Sequence, residues 1–155
     1  MRLRRYEVQD LPALAQLFYD TVHTVNARDY DEGQLNAWAP GEIDEPRWRE
    51  TLAAHFSLVA EGEAGGILGF ADLDEAEGYL DRLYVHAAHQ GQGVGAALCD
   101  ALEARARRVG RRVVTTHASI TARPFFEARG YRVLCARQVE RGGVTLVNFA
   151  MEKKL

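Results

Sequence analysis

The sequence predicts one domain of mixed α/β (α+β) class: a mixed, mostly antiparallel twisted sheet of about seven strands with helices on both faces. Three observations lead there. The chain has 155 residues, 47% apolar and 26% charged, which is enough for one real core and too short for two ordinary domains. Apolar residues recur at helical spacing up to about residue 56 and in short strand-like runs after it. A single strand, glycine cluster, helix and strand succession is embedded among hairpins, so one parallel pair sits in an otherwise antiparallel sheet.

The elements follow in order. Leu3 to Val8 reads as a charged first strand. Asp10 is placed to cap a helix with Pro12 in its first turn, and Leu11, Leu14, Ala15, Phe18, Val22 and Val25 form its buried stripe. Tyr19, His23 and Asn26 run along one edge of that stripe. A short segment, Asp31 to Ala39, stops at Pro40. Pro46 opens another helix, with Trp48, Leu52 and Phe56 at helical spacing. The runs 57–60, 67–73 and 79–85 read as strands separated by the turns 62–66 and 74–78, giving antiparallel hairpins. Val94 to Val109 is a long helix, Arg112 to Thr116 a strand, and Thr121 to Arg129 a helix ended by Gly130. Tyr131 to Arg141 and Val144 to Met151 close the chain as a hairpin around Gly142-Gly143.

A net charge of −3 gives no reason to expect nucleic acid or an anionic membrane as partner. No apolar stretch approaches the ~18 residues of a membrane span, and the charged N-terminus is no signal peptide. Cys99 and Cys135 make no disulfide framework and are expected to be reduced core thiols of a cytoplasmic protein. His86 and His89 lack further ligands nearby, so no metal is expected. The run Arg105, Arg107, Arg108, Arg111, Arg112 reads as a solvated helix end favoured by the helix dipole.

The most specific local signal is Gln90-Gly91-Gln92-Gly93-Val94-Gly95-Ala96, between a strand and a helix start. Glycines allow a tight turn and close backbone approach, and the helix start offers unpaired N–H groups with a partial positive charge. Together they suit a pyrophosphate. Gly91, Gly93 and Ala96 also fit G-x-G-x-x-A, but a dinucleotide fold needs that motif on the first strand of a parallel sheet, with an acid about 20 positions later. Here three strands precede it and the next strand ends Thr115-Thr116-His117. The G-K-[ST] of a nucleotide-triphosphate loop is absent.

At this point the chain resembles a family. Gln90-x-x-Gly93-x-Gly95 is similar to the acyl-CoA signature Q/R-x-x-G-x-G/A of the GNAT superfamily of N-acetyltransferases, and the strand 79–85 lies where that family has its central strand. The run 122–131, Ala-Arg-Pro-Phe-Phe-Glu-Ala-Arg-Gly-Tyr, resembles the family's A-x-x-L-Y-E-x-x-G-F. Segments 118–127 and 37–39 resemble a bacterial subgroup known as YafP-like. The resemblance covers essentially the whole chain. It implies a single acyl-CoA-dependent domain over 1–155, with acceptor-side helices at 10–56, a cofactor core at 57–131 and a C-terminal hairpin at 131–153. It implies acetyl-CoA as acyl donor, no metal, and an oligomeric state open to a homodimer. Backbone groups of Leu83, Tyr84 and Val85 would pair with the pantetheine arm, and N–H groups of Gln90, Gly91, Gln92, Gly93, Val94, Gly95 and Ala96 would hold the pyrophosphate. Ser119 stands where many members have an Asn that touches the pantetheine. Phe126 stands where many have a Tyr that protonates the departing thiolate, a departure from the family pattern.

The implied reaction is transfer of an acetyl group to a primary amine of a small molecule by direct attack in a ternary complex. The alternatives are a protein or aminoacyl-tRNA amine as acceptor, or an acyl-CoA sensor without catalysis. Amines with pKa near ~10 are protonated at neutral pH, so a base is needed. Asp81, in an otherwise apolar strand and expected on one face with Tyr79, Leu83 and Val85, is the first candidate. His23 is the second, and His117 a weaker third. Tyr19, Tyr30, Trp38 and Tyr79 are the candidates for the acceptor pocket, with Trp48 assigned to the core.

Overall fold

The computed structural model describes residues 1–155. Its strands are β1 (Arg2–Arg5), β2 (Phe56–Glu61), β3 (Ile67–Asp74), β4 (Tyr79–Val85), β5 (Val113–Ser119), β6 (Arg132–Arg141) and β7 (Val144–Lys154). Its helices are α1 (Leu11–Thr24), α2 (Glu32–Trp38), α3 (Glu45–Ala54), α4 (Val94–Arg108) and α5 (Arg123–Ala128). The seven strands form one sheet in the order β1-β2-β3-β4-β5-β7-β6. Every neighbouring pair is antiparallel except β4 and β5, as the hairpins and the single strand–helix–strand unit predict.

Both faces of the central strands are buried, which is why their sequences read as near-continuous apolar runs. On one face Leu98, Leu102 and Ala106 of α4 pack against Leu58, Ala71, Leu73, Leu80 and Val114. On the other, Leu14 and Val22 of α1, Leu35 of α2 and Leu52 of α3 pack against Val59, Phe70 and Leu146. Neighbours in sequence go to opposite cores, as the two-residue period of a strand requires.

Five sequence expectations are corrected. The first strand ends at Arg5 rather than Val8, because Val8–Asp10 is a 3-10 turn. Asp10 does not cap α1 with its side chain. Its carboxylate accepts from Arg4 at 2.8 Å through both oxygens and from the Glu7 N–H at 2.8 Å, so it ties that turn to β1 instead. Phe56 opens β2 instead of extending α3, since the backbone is already extended at His55. Cys99 is buried in the α4 core, but Cys135 is exposed, on a strand whose register slips between Val133 and Cys135. Arg105 of the basic run is not simply solvated: it pairs with Glu75 at 3.1 Å and lies 4.9 Å from the Phe56 ring centre.

Candidate active site

β4 and β5 pair only at Tyr79–Thr115 and Leu80–Thr116. There the Thr116 hydroxyl donates to the Leu80 carbonyl at 2.9 Å and ends the ladder. Beyond it the strands splay, and the gap is a cleft of about 290 Å³ reaching the start of α4. The Tyr84 carbonyl oxygen would lie 2.8 Å from a Cβ on Gly69, which places it on the β3 side. A strand residue points its N–H and C=O the same way, so the backbone groups that face the splay are those of Leu83 and Val85, not Tyr84. The Val85 carbonyl is already taken, accepting from Gln90 Nε2 at 2.7 Å and from the Thr21 hydroxyl at 3.1 Å. Gln90 therefore ties the glycine loop to the strand end.

At the far end of the cleft, Gly91 and Gly93 have φ of +71° and +83°, a conformation that favours glycine, and nothing lies within 4 Å of a Cβ at either. Gly93 is the N-cap of α4, so the N–H groups of its first turn open into this space. The helix carries no acid in its first turn and Arg105, Arg107 and Arg108 in its last. Those arginines lie a helix length away, roughly 22 Å for fifteen residues, and are remote from the cradle. Gln90, Gly91, Gly93, Val94, Gly95 and Ala96 line the cleft. Gln92 does not; its side-chain oxygen contacts His89 Nδ1 at 3.1 Å. The Thr121 hydroxyl, buried without a hydrogen-bond partner, belongs to the same lining. Unpaired strand edge, open helix start and orphaned hydroxyl fit an extended ligand with an anionic end, as coenzyme A is.

Ser119 and Phe126 line this cleft too. Ser119 Oγ accepts from the Ala122 N–H at 3.0 Å and contacts the buried Asn26 amide at 3.4 Å. Phe126 is 3% exposed and packs edge-on against Phe125 and Tyr131.

A second cavity of about 480 Å³ lies between α3, β4 and the β6–β7 hairpin. Trp38, Asp81, Tyr84, His117 and Ser119 line both spaces, so the two meet there. Asp81 owes its position to a β-bulge. Asp72 pairs with Arg82 and Leu73 with Leu80, which leaves Asp81 as the extra residue. The bulge breaks the expected common face. Leu83 and Val85 pack toward the α4 core, whereas Asp81 and Tyr79 line the second cavity.

Asp81 is surrounded by charge. Asp72, fully buried, accepts from Arg82 at 2.7 Å, from the Arg82 N–H at 3.0 Å and from His55 at 2.8 Å. Asp81 lies 3.5 Å from Arg82 and 3.9 Å from His55. Burial, and then the Asp72 charge, push the Asp81 pKa above the usual carboxylate range against the pull of Arg82, His55 and Arg47. The Asp72 hydrogen bond raises the His55 pKa. His55, Asp72 and Asp81 bring ligand-type atoms within 4.8 Å of one another, a grouping the sequence reading missed. The Arg82 guanidinium already supplies a positive charge among them.

Beside Asp81, Tyr79 and His117 contact through Oη and Nδ1 at 3.1 Å. Burial lowers the His117 pKa, with the Arg137 charge adding to it. Burial and the Asp81 charge raise the Tyr79 pKa to about 12. Tyr30 and Trp38 line the second cavity edge to face, 5.3 Å apart. The Tyr30 hydroxyl is fully engaged, donating to the Val147 carbonyl at 2.6 Å and accepting from the Ile120 N–H at 2.9 Å. Trp48 lines the cavity as well as packing on Phe18. Tyr19 and His23 line neither space. They stack on each other at 4.1 Å, and His23 Nε2 contacts the Ala39 carbonyl at 2.8 Å, tying α1 to the end of α2. Arg47, Arg82, Arg137, Arg141 and Asn148 were missed. The alternation of β6 puts Arg137 and Arg141 on one face, but only the folded hairpin shows what that face meets.

The comparisons with known proteins agree with this geometry. The family model for the acetyltransferase (GNAT) domain matches residues 26–154. The chain is 34% identical over 154 residues to the N-acetyltransferase YafP of Escherichia coli strain K12, covering 99% of this chain and 96% of that protein. The crystal structure of a GCN5-related N-acetyltransferase from Rhodopseudomonas palustris matches at TM-score 0.94 and 36% identity, over 99% of this chain and 95% of that one. The fold also matches PaiA N-acetyltransferase from Thermoplasma acidophilum, solved with coenzyme A, at TM-score 0.80 and 18% identity over 99% and 98% of the two chains. A splayed parallel pair, an open glycine-capped helix start and these full-length matches together show that the chain belongs to the GNAT family, whose members are acetyltransferases that use acetyl-CoA.

Proposed function

We propose that the protein transfers an acetyl group from acetyl-CoA to the primary amine of a small molecule, by direct attack within a ternary complex in the cytoplasm. The observation that carries this reading is the meeting of two cavities at Asp81: one suited to an extended anionic cofactor, the other lined by aromatic and charged side chains. The thioester supplies the activated acyl group. Leu83 and Val85 offer the strand edge that aligns the pantetheine arm, and the first turn of α4 holds the pyrophosphate. Asp81 accepts the ammonium proton, and its raised pKa makes it a stronger base than an exposed aspartate. The neutral amine then forms the C–N bond as the C–S bond breaks, and the second proton lost by the nitrogen neutralises the departing thiolate. Tyr79 and His117 orient the acceptor beside Asp81. Phe126 donates no proton and packs against the cofactor.

The test is turnover of acetyl-CoA with a panel of small amines, the acetylated product identified by mass spectrometry. Product from at least one small amine is expected. Tight acetyl-CoA binding with no product from any amine would favour a sensor, and efficient acetylation of peptides alone would move the acceptor to protein.

A further inference from the structure

We propose that the amine accepted in the second cavity carries an oxyanion, a carboxylate or a phosphonate, which Arg137 and Arg141 of β6 hold while Asp81 receives the amine. This rests on reading that cavity as the acceptor side.

Charge balance is the first argument. The cavity is lined by Arg47, Arg82, Arg137 and Arg141 against two acids, Asp44 and Asp81. Arg82 is neutralised by the buried Asp72 at 2.7 Å. Asp44 is occupied as the N-cap of α3, accepting from the Arg47 N–H at 3.3 Å. No carboxylate oxygen lies within 4.0 Å of the guanidinium groups of Arg47, Arg137 or Arg141. The cavity thus holds three guanidinium groups outside any ion pair, and of its two acids only Asp81 stands where the two spaces meet.

Geometry is the second. Arg137, Val139 and Arg141 alternate along β6, so their side chains share one face, and all three line the cavity. Arg137 is half-buried and registered opposite Asn148, to whose side-chain oxygen it donates through Nη1 at 3.2 Å. That bond holds the guanidinium and leaves its other N–H groups open. A guanidinium fork matches the paired oxygens of a carboxylate or phosphonate, which a single ammonium does not. Arg137, Tyr79, His117 and Asp81 all line this cavity, and the Arg137 charge is felt at the Tyr79–His117 pair. A dipolar acceptor is oriented by these charges, ammonium toward Asp81 and oxyanion toward β6. A polyamine or a lysine-rich peptide meets like charge at the arginines.

The two tryptophans of the chain, Trp38 and Trp48, both line this cavity, so intrinsic fluorescence reports its occupancy without turnover. Titrations of the CoA-saturated protein would compare leucine, leucinamide, an aminoalkylphosphonate, putrescine and a lysine-containing peptide. The carboxylate or the phosphonate is expected to bind at least tenfold more tightly than the amide and the dications, and which of the two does so identifies the oxyanion. Arg137→Gln should remove most of that preference while changing amide binding less than twofold, and Arg137→Lys should retain part of it. Should Arg137→Gln fail to fold, Arg141→Gln, on a more exposed residue, is expected to weaken the preference severalfold and decides the matter. Equal binding of amide and acid, tighter binding of putrescine, or a preference untouched by both glutamine variants overturns the proposal. The same probes in a turnover assay separate it from the transfer reaction. Anion-selective binding without acetylation refutes transfer alone, whereas acetylation of all amines at equal efficiency refutes the anion preference alone.

Discussion

At Asp81 two opposing influences meet: burial and the neighbouring Asp72 disfavour its charge, while Arg82, His55 and Arg47 favour it, and the balance is a raised pKa. The sign of the pH effect follows. In the role proposed for Asp81 the working form is the carboxylate, which is lost as pH falls through the raised pKa, so the acid limb of kcat should lie above the ~3.9 of an unperturbed aspartate. Asp81→Asn should erase that limb and lower kcat by about 10²–10⁴-fold, with the KM for acetyl-CoA changed less than twofold. pH–rate profiles of the two proteins check this; wild-type turnover in the variant would remove Asp81 from the chemistry. Phe126 makes the complementary case. A thiol of unperturbed pKa near ~8.5 leaves as a mildly basic thiolate, so a donor adds little. Phe126→Tyr, compared at saturating acetyl-CoA, should change kcat less than tenfold; a rise of ~10²-fold or more would show a site that lacks a useful acid.

Among the elements, the start of α4 and the bulge of β4 do most to place the chemistry. Gly93 has φ of +83° and faces open space, so its substitution strains the turn and fills the cradle at once. Gly93→Glu should abolish the thermal shift given by acetyl-CoA, through both the side chain and a negative charge where a pyrophosphate is held. Gly93→Ala isolates the backbone strain and should weaken binding less; calorimetric titration distinguishes the two. The bulge is supported from outside the strand. Asp72 binds the Arg82 main chain and side chain together, and His55 besides. Removing one partner of such a buried ion pair typically costs ~3–5 kcal/mol, so Arg82 belongs to the scaffold that aims Asp81.

For the whole molecule, the cofactor cleft exists only in the folded sheet, so its ligand stabilises the fold by mass action. At a hundredfold excess over Kd the gain is about 2.7 kcal/mol, which for a chain of this size raises Tm by roughly 5–10 °C. Acetyl-CoA should produce such a shift in a thermal melt, and NADH and ATP should not. A larger shift with NADH would contradict the pyrophosphate–pantetheine reading of the cleft.

Much of this was legible in the sequence because it depends on local chemistry. The 3.6 and 2.0 periods, the hairpin turns and the glycine-rich helix start are set by residues close together in the chain, and they placed the sheet, the long helix and the glycine loop within a few residues. Asp81 was visible as the one acid of its strand. Its direction was not, because the bulge that turns it depends on register with Asp72 of the neighbouring strand. His23 and Tyr19 had the right spacing on α1, yet the packing of α1 against α2 occupies His23 with the Ala39 carbonyl. The arginines of the second cavity come from α3, β4 and β6, elements up to ninety-four residues apart between Arg47 and Arg141. Short-range pattern carries no information about such neighbours, because the charge each arginine meets is decided by how α3, β4 and the β6–β7 hairpin come together around the cavity. The sequence by itself determined which elements form and where an open, glycine-capped helix start lies; the tertiary structure alone decided which charges face the second cavity, because they come from elements far apart in the chain.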